Sequence, residues 1–452
     1  MIDINLIREN PTLVKENIKK KFQDEKILLV DEISELDKKW RKLKFEADNL
    51  RASRNTISKQ ISEAKKAKDE SQASNLLKEA KLIPEKIKSI EEQTTFIETE
   101  IKQAMLQIPN IISEETPLGK TEEENVEIKK VGKTPKFSFP IKNHVELAES
   151  LGIVDFDASA RVSGNGFYYL KGDLAFLNQS LIRFAIDFMK KKGYEYIETP
   201  LMLNEKSIFA SMDKKAIQES VYSIKDEDLN LIGTAEQSLL AMHSGQTLNH
   251  TELPKKYFSY SMCFRREIGS HGINEKGLWR THQFNKIEQF IFCHPDESIK
   301  LYDELLKNSE EILKALKLPY RVLEICSGDL ADWKYRSSDV EVYRPTLKGY
   351  GEIMSLSNCT EYQARKIGMK FQDKDGERKV PHTLNNTALA TSRIMVAILE
   401  NNQQKDGSIK IPTVLQKYMN GQKIISAKKP EKENSKKQKP KKKISKSKSK
   451  KS

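Results

Sequence analysis

Ile33, Leu36, Trp40, Leu43, Ala47, Leu50, Arg54, Ile57, Ile61 and Ala64 follow one another at alternating spacings of three and four, broken in chemistry only at Arg54. That period keeps all of them on one stripe of an α-helix, the pattern of a coiled-coil seam. Leu76, Ala80, Ile83, Ile87, Ile90, Thr94, Ile97, Ile101, Ala104 and Ile108 repeat it after a polar stretch, Lys65 to Asn75. Two long helices folded back as an antiparallel hairpin are expected. The first seam spans 32 residues, which at ~1.5 Å per residue makes an arm of about 48 Å. Pro84 lies inside the second seam, where the missing N–H predicts a kink or a later helix start.

Charge is unevenly placed. Lys38 to Lys68 holds 11 basic and 3 acidic residues, so the first helix and the arm tip are positive. A basic projecting helix can follow a phosphate backbone, and it can equally be a solvated exterior. The chain carries a net +13, of which Ser426–Ser452, with 13 Lys and 2 Glu, holds +11. This tail has too few apolar residues for a core and is expected to be disordered, with RNA affinity, nuclear import and solubility as readings of its charge. The rest of the chain is nearly neutral. Cys263, Cys293, Cys326 and Cys359 lie 30, 33 and 33 residues apart, without the paired spacing of a zinc knuckle or a redox pair, and are expected to be buried thiols in a reducing compartment. No apolar run reaches the ~20 residues of a membrane span, so a soluble intracellular protein is expected.

Pro109 and Asn110 end the arm, and the segment to about Pro135 reads as a linker. The body runs to about Ile425, with an amphipathic helix over Asp173–Lys192 and strands over Tyr194–Thr199, Tyr257–Arg265 and Trp279–Phe292. Strands joined by a hairpin predict an antiparallel sheet in an α+β fold. In this hairpin Arg265 and Glu267 continue the more polar face of the first strand, and Arg280, His282, Phe284, Lys286 and Glu288 fall on one face of the second. Guanidinium, ring and carboxylate together suit phosphate, a purine and an ammonium group. A GxxxxGK loop is absent, as is GxGxxG, so any nucleotide must be held by side chains.

FRREIGSHG with LWRTHQFNKIEQF (Phe264–Phe290), GYEYIETPLML (Gly193–Leu203) and NNTALATSRIMVAILEN (from Asn385) resemble the three motifs of class II aminoacyl-tRNA synthetases. The TAE triplet Thr234–Glu236 and GEIMSLSNCTEYQARK from Gly351 are similar to segments of the seryl-tRNA synthetase family, and the likeness covers about residues 1–425. The resemblance implies an antiparallel-sheet catalytic core at 116–425, an N-terminal tRNA-binding domain at 1–115 and the tail at 426–452. It further implies a cytoplasmic homodimer, with Pro200 at the dimer interface, that uses ATP and Mg2+ without zinc and charges tRNA(Ser), and tRNA(Sec) where one exists, with L-serine.

By the same resemblance, Arg265 holds the α-phosphate and the serine carboxylate, Glu267 meets the adenine end, Phe284 stacks on the base, and Arg280 and Arg393 grip phosphates. Arg266, Ile353 and Met354 complete the ATP set, and Glu352 and Ser355 hold Mg2+. Arg265, Glu267 and Arg393 are the expected catalytic residues. Thr234 and Glu288 would take the serine ammonium group, Asn385 and Thr387 the hydroxyl, with Ala235 and Glu236 beside them. Thr234 and Glu236 are expected on one strand face, and Arg393 in a helix beginning near Thr387. Lys38, Arg41, Lys42, Arg51, Arg54 and Lys59 are the expected tRNA contacts. Asn274, Glu275 and Lys276 stand where the family usually has Asp-Thr-Arg. The rival readings are a related ligase that loads a carrier protein, disfavoured by the two heptad runs, and an RNA-binding paralogue without activity, disfavoured by Arg265, Glu288 and Arg393.

Overall fold

The computed structural model describes residues 1–268 and 276–426. The two heptad runs form helices α1 (Ile27–Lys66) and α2 (Glu70–Met105), which pack along their lengths. Lys68 reverses the chain in a left-handed conformation (φ 53°), and Asp69 caps α2 by accepting from the Gln72 N–H at 2.9 Å. The α2 helix continues through Pro84; the residue is exposed, so the carbonyl left without a helix partner can take water. Ile57, Ile83 and Ile87 close the outer seam, and Ile33, Ile97 and Ile101 the inner one. At the arm's root the buried Asp37 carboxylate pairs with Arg8 at 2.7 Å and Arg41 at 2.9 Å.

The segment expected to be a linker is a packed joint. Asn110 is buried, its Nδ2 donates to the Cys359 and Trp333 carbonyls at 2.9 and 3.1 Å, and the Tyr362 hydroxyl donates to the Ile108 carbonyl at 3.0 Å. Farther along, strand β1 (Val126–Val131) joins the edge of the main sheet. Its alternation, Val126-Glu127-Ile128-Lys129, is short and breaks at Lys130, and a register shift between Glu127 and Lys129 interrupts the pairing.

The main sheet has eight strands: β1, β2 (Glu195–Tyr196), β3 (Lys255–Phe264), β4 (Gln283–Cys293), β5 (Tyr320–Glu324), β6 (Arg336–Arg344), β7 (Gly349–Thr360) and β8 (His382–Ala390). Their order is β1-β5-β6-β7-β8-β4-β3-β2, antiparallel throughout except for the short parallel pair β2/β3. One face packs on helices α3 (Gly172–Lys191), α4 (Ser298–Leu316) and α5 (Thr391–Asn402). Leu174, Leu177 and Leu181 of α3 and Leu305, Ile312 and Leu313 of α4 are fully buried there, each stabilising the fold by about 1.5–3 kcal/mol. The opposite face is covered at one end, over Phe290 and Phe292, by the helices Glu205–Ser211, Ala235–Ala241 and Tyr362–Lys366, and elsewhere it carries an open polar cleft.

Three local expectations change. The second hairpin strand starts at Gln283, so Arg280 and His282 precede it. Thr234 is not on a strand but caps the helix Ala235–Ala241, its hydroxyl accepting from the Glu236 N–H at 3.3 Å. The helix bearing Arg393 begins at Thr391, because the alternation of Asn385, Thr387 and their neighbours continues β8 to Ala390.

Candidate active site

Two bulges shape the open face. In β7, Met354 pairs with Val340 but Glu352 pairs with Glu341, so Ile353 is an extra residue. In β8, Thr387 pairs with Glu288 but Leu389 pairs with Ile287, so Ala388 is extra. In an unbroken strand residues three apart point to opposite faces. The bulges instead turn Glu352 with Ser355, and Thr387 with Ala390, toward the same cleft.

The cleft has a volume of about 340 Å³. Of the residues predicted from sequence it gathers Thr234, Glu236, Arg265, Glu267, Arg280, Phe284, Glu288, Glu352, Ile353, Ser355, Asn385, Thr387 and Arg393. Ala235 and Met354 are buried side chains that do not line it, Met354 because it faces the helix-covered core. Arg266 is exposed, and its guanidinium donates to the Gln218 carbonyl at 3.3 Å outside the cleft. Lys286, Trp279, Trp333 and Lys334 also line the cleft. Of these, only Lys286 was visible in the strand alternation.

At one end lies an acidic pocket. The Thr234 hydroxyl donates to Glu288 Oε2 at 3.2 Å, Lys286 pairs closely with Glu288, and Asn385 and Gln363 donate to Glu236 Oε1 at 3.0 and 2.7 Å. Burial, with the Glu288 charge adding to it, pushes the Glu236 carboxyl up to about 7. Two carboxylates beside hydroxyl and amide groups match a small ligand bearing an ammonium and a hydroxyl.

At the centre Arg265 Nε donates to the Gly233 carbonyl at 3.1 Å, and its guanidinium lies 5.3 Å from the Phe284 ring centre. Glu267 holds a left-handed backbone (φ 52°) and meets Arg280 at 3.4 Å. A buried support stands behind the phosphate-gripping candidates: Glu400 takes Arg344 at 3.0 Å and His144 at 3.2 Å. Arg344 lies 4.3 Å over the Trp279 ring, Arg393 lies 5.4 Å from the same ring, and Arg393 reaches Glu352 at 3.1 Å.

Asp339 is directly opposite Ser355 in the sheet, and its Oδ1 is buried without a hydrogen-bond partner. Burial and then the Glu352 charge push Asp339 up to about 7; for Glu352 burial acts upward but Arg393, Arg265 and Lys334 hold it below the usual range. An orphaned carboxylate oxygen beside Glu352 and the Ser355 hydroxyl is a hard-oxygen donor set that fits Mg2+. Among the described residues no group of three His, Cys, Asp or Glu side chains is arranged for a metal, so phosphate oxygens would have to complete such a shell.

On the arm, Arg41 is tied to Asp37, Arg51 to Asp48 and to Glu91 at 2.7 Å, and Lys38 to Glu35 at 2.8 Å. Arg41, Arg51 and Lys38 therefore hold ion pairs that RNA would have to share. Lys42, Arg54 and Lys59 are exposed. Asn274 and Glu275, and residues 427–452 of the tail, lie outside the described residues; Lys276 bridges Glu149 at 3.0 Å and Asp157 at 2.8 Å.

Residues 1–112 match the family described as the seryl-tRNA synthetase N-terminal domain, and 220–402 the class II tRNA synthetase core domain (G, H, P, S and T). The chain is 43% identical to serine–tRNA ligase of Methanocella arvoryzae, over 93% of this chain and 99% of that one. The seryl-tRNA synthetase of Pyrococcus horikoshii, solved with ATP, superposes with a TM-score of 0.90 at 38% identity, covering 95% of this chain and all of that one. The cytoplasmic serine–tRNA ligase of Naegleria fowleri, solved with AMP, gives 0.85 at 33%, covering 95% and 99%. With both of its regions matched and nearly its whole length aligned, the chain belongs to the seryl-tRNA synthetase family of class II aminoacyl-tRNA synthetases.

Proposed function

We propose that this protein is a serine–tRNA ligase that activates L-serine with ATP and transfers it to tRNA(Ser), and to tRNA(Sec) where one exists. The observation that carries this reading is the juxtaposition, in one cleft, of the Thr234–Glu236–Glu288–Asn385 pocket with Arg265, Phe284 and Arg393. Thr234 and Glu288 bind the serine ammonium group. Asn385 and Thr387 enclose the hydroxyl, and an amino acid lacking it leaves buried polar partners unpaired. Arg265 bridges the serine carboxylate and the α-phosphate, Phe284 stacks on adenine, Glu267 meets its edge, and Arg280 and Arg393 hold phosphates.

The serine carboxylate oxygen attacks the α-phosphorus in line, the bond to the bridging oxygen breaks, and pyrophosphate leaves with that electron pair. The guanidinium groups are already in place where charge develops, so they stabilise the transition state without reorganising. Asp339, Glu352 and Ser355 would hold Mg2+, which when bound neutralises the polyphosphate. The 3′-hydroxyl of the tRNA's terminal adenosine then attacks the seryl carbonyl and releases AMP. The division into an arm domain at 1–115 and a core at 116–425, the homodimer and the cytoplasmic setting are part of the same proposal. Lys42, Arg54 and Lys59, with Lys38, Arg41 and Arg51, offer the arm's charge to the tRNA backbone.

ATP–pyrophosphate exchange across all twenty amino acids tests the reading. Serine alone is expected to support strong exchange, and Arg265→Ala to abolish it. Exchange with no amino acid would leave an RNA-binding paralogue, and serine-dependent exchange without transfer to tRNA would favour the carrier-loading ligase.

A further inference from the structure

The connection between β5 and β6 carries a cation that the roles above leave unused. Lys334 lines the cleft, and its ammonium donates to Ser337 Oγ at 3.0 Å and to Ser355 Oγ at 3.3 Å. These partners are neutral, and among the described residues no carboxylate forms an ion pair with Lys334, although its charge acts on the nearby Glu352, Asp339 and Glu236.

The chain on both sides of Lys334 is pinned. The Asp332 carbonyl accepts from the Asn110 N–H at 2.7 Å, its carboxylate pairs with Lys26 at 2.6 Å, and the Trp333 carbonyl accepts from Asn110 Nδ2. The Tyr335 N–H donates to the Asn358 carbonyl at 2.8 Å, and its own carbonyl accepts from the Ser113 N–H at 2.9 Å. A lysine on so constrained a backbone is presented to the cleft, whereas a solvated one would need no such anchoring.

Its position selects the ligand group. Ser355 and, across the strand pair, Asp339 place the ammonium beside Glu352, while Ser337 leads through Ser357 toward Asn385; the serine end, however, already has Lys286 paired with Glu288, which leaves the Lys334 charge for the Glu352 side. Lysine is a compact, rotatable point charge, suited to a phosphate with several equivalent oxygens.

We propose that Lys334 is a further nucleotide-binding residue, whose ammonium turns from the two serine hydroxyls to a β- or γ-phosphate oxygen of ATP beside Glu352 and Ser355. The proposal rests on the reading of ATP as the substrate of this cleft. It assigns to the joint between the arm domain and the core the placement of a phosphate-binding charge.

The test compares the full-length protein with Lys334→Met, Lys334→Gln and Lys334→Arg by calorimetric titration with ATP and Mg2+ without serine, and by exchange kinetics. Lys334→Met is expected to weaken ATP binding by about ten- to a hundredfold, the range for a lost charge-assisted hydrogen bond. KM for serine should stay unchanged, and Lys334→Arg should recover most of the loss. Lys334→Gln keeps a donor to the serine hydroxyls without the charge; binding as weak as in Lys334→Met supports the proposal even if the methionine variant folds poorly. Wild-type ATP affinity in Lys334→Gln overturns it, as does a defect confined to serine KM. Wild-type protein that binds ATP but exchanges with no amino acid would refute the parent reading while the titration still judged Lys334.

Discussion

Gly351→Ala should damage nucleotide handling through a single methyl group. A Cβ at Gly351 would lie 2.5 Å from Cζ2 and 2.9 Å from Cη2 of Trp279, and 3.5 Å from the Cδ of Arg344. Carbon atoms prefer ~3.5–4.0 Å, so the overlap with the indole is about 1 Å by that comparison. The indole has little freedom to yield. Arg344, anchored on the buried Glu400, covers it at 4.3 Å, and Arg393 Nε donates to the Trp279 carbonyl at 3.4 Å. Overpacking of this kind costs about 1–3 kcal/mol of stability. Because Arg393 leans on the displaced ring, a shift of ~1 Å at its guanidinium should lower kcat/KM for ATP by about a hundredfold. Thermal or denaturant unfolding measures the first quantity and ATP–pyrophosphate exchange the second. KM for serine at saturating ATP should change little, since Glu236 and Asn385 lie at the other end of the cleft. Adding Trp279→Phe should recover part of the stability by making room, but not the ATP effect, because the ring's contacts with both arginines are weakened. Wild-type unfolding and wild-type exchange in Gly351→Ala would refute the reasoning.

Serine binding should depend on pH through Glu236. Burial and the Glu288 charge raise this carboxyl to about 7, so it takes up a proton as the pH falls below that value, and an ammonium ligand favours the ionised form. Affinity is therefore present above about pH 7 and is lost toward acid, by up to about tenfold between pH 8 and pH 6; calorimetry in buffers of different ionisation heat should show up to about three quarters of a proton released on binding near pH 6.5, and a flat profile would contradict the assignment. For the arm, replacing residues 56–85 by a short turn keeps the Arg51–Glu91 pair and the inner seam. Exchange should be untouched, while KM for tRNA in the charging reaction should rise by at least about tenfold on loss of several phosphate contacts; unchanged charging would remove the outer arm from RNA binding.

How far the residues announced this structure depended on period. The arm is legible because ten seam positions repeat in each run, and a single arginine at 54 cannot mask that many. In the hairpin, Phe284, Lys286 and Glu288 share the cleft face as alternation requires. Arg280 also reaches the cleft, although it lies before the strand and owes its position to the irregular segment there. Thr234 departs from the strand expected there because a threonine followed by Ala-Glu is also a good helix start. Asp339 and Lys334 carried no local signal, because their meaning comes from a strand partner and from a loop pinned by a residue more than two hundred positions earlier, Asn110. The bulges left no trace in composition, since an extra residue changes facing without changing chemistry.

Ile353 and Ala388 work as spacers, and this makes chain length, more than residue identity, the quantity that these two strands must preserve. Removing either one would put the rest of its strand out of phase. Ser355 and the polar side chains after it would turn toward the helices, and Met354 in one strand or Leu389 in the other would meet water. A substitution at either spacer can leave that phase intact, whereas a one-residue deletion cannot. Descendants of this chain should therefore drift freely in the arm's outer turns while holding the residue count across Gly349–Thr360 and His382–Ala390 constant.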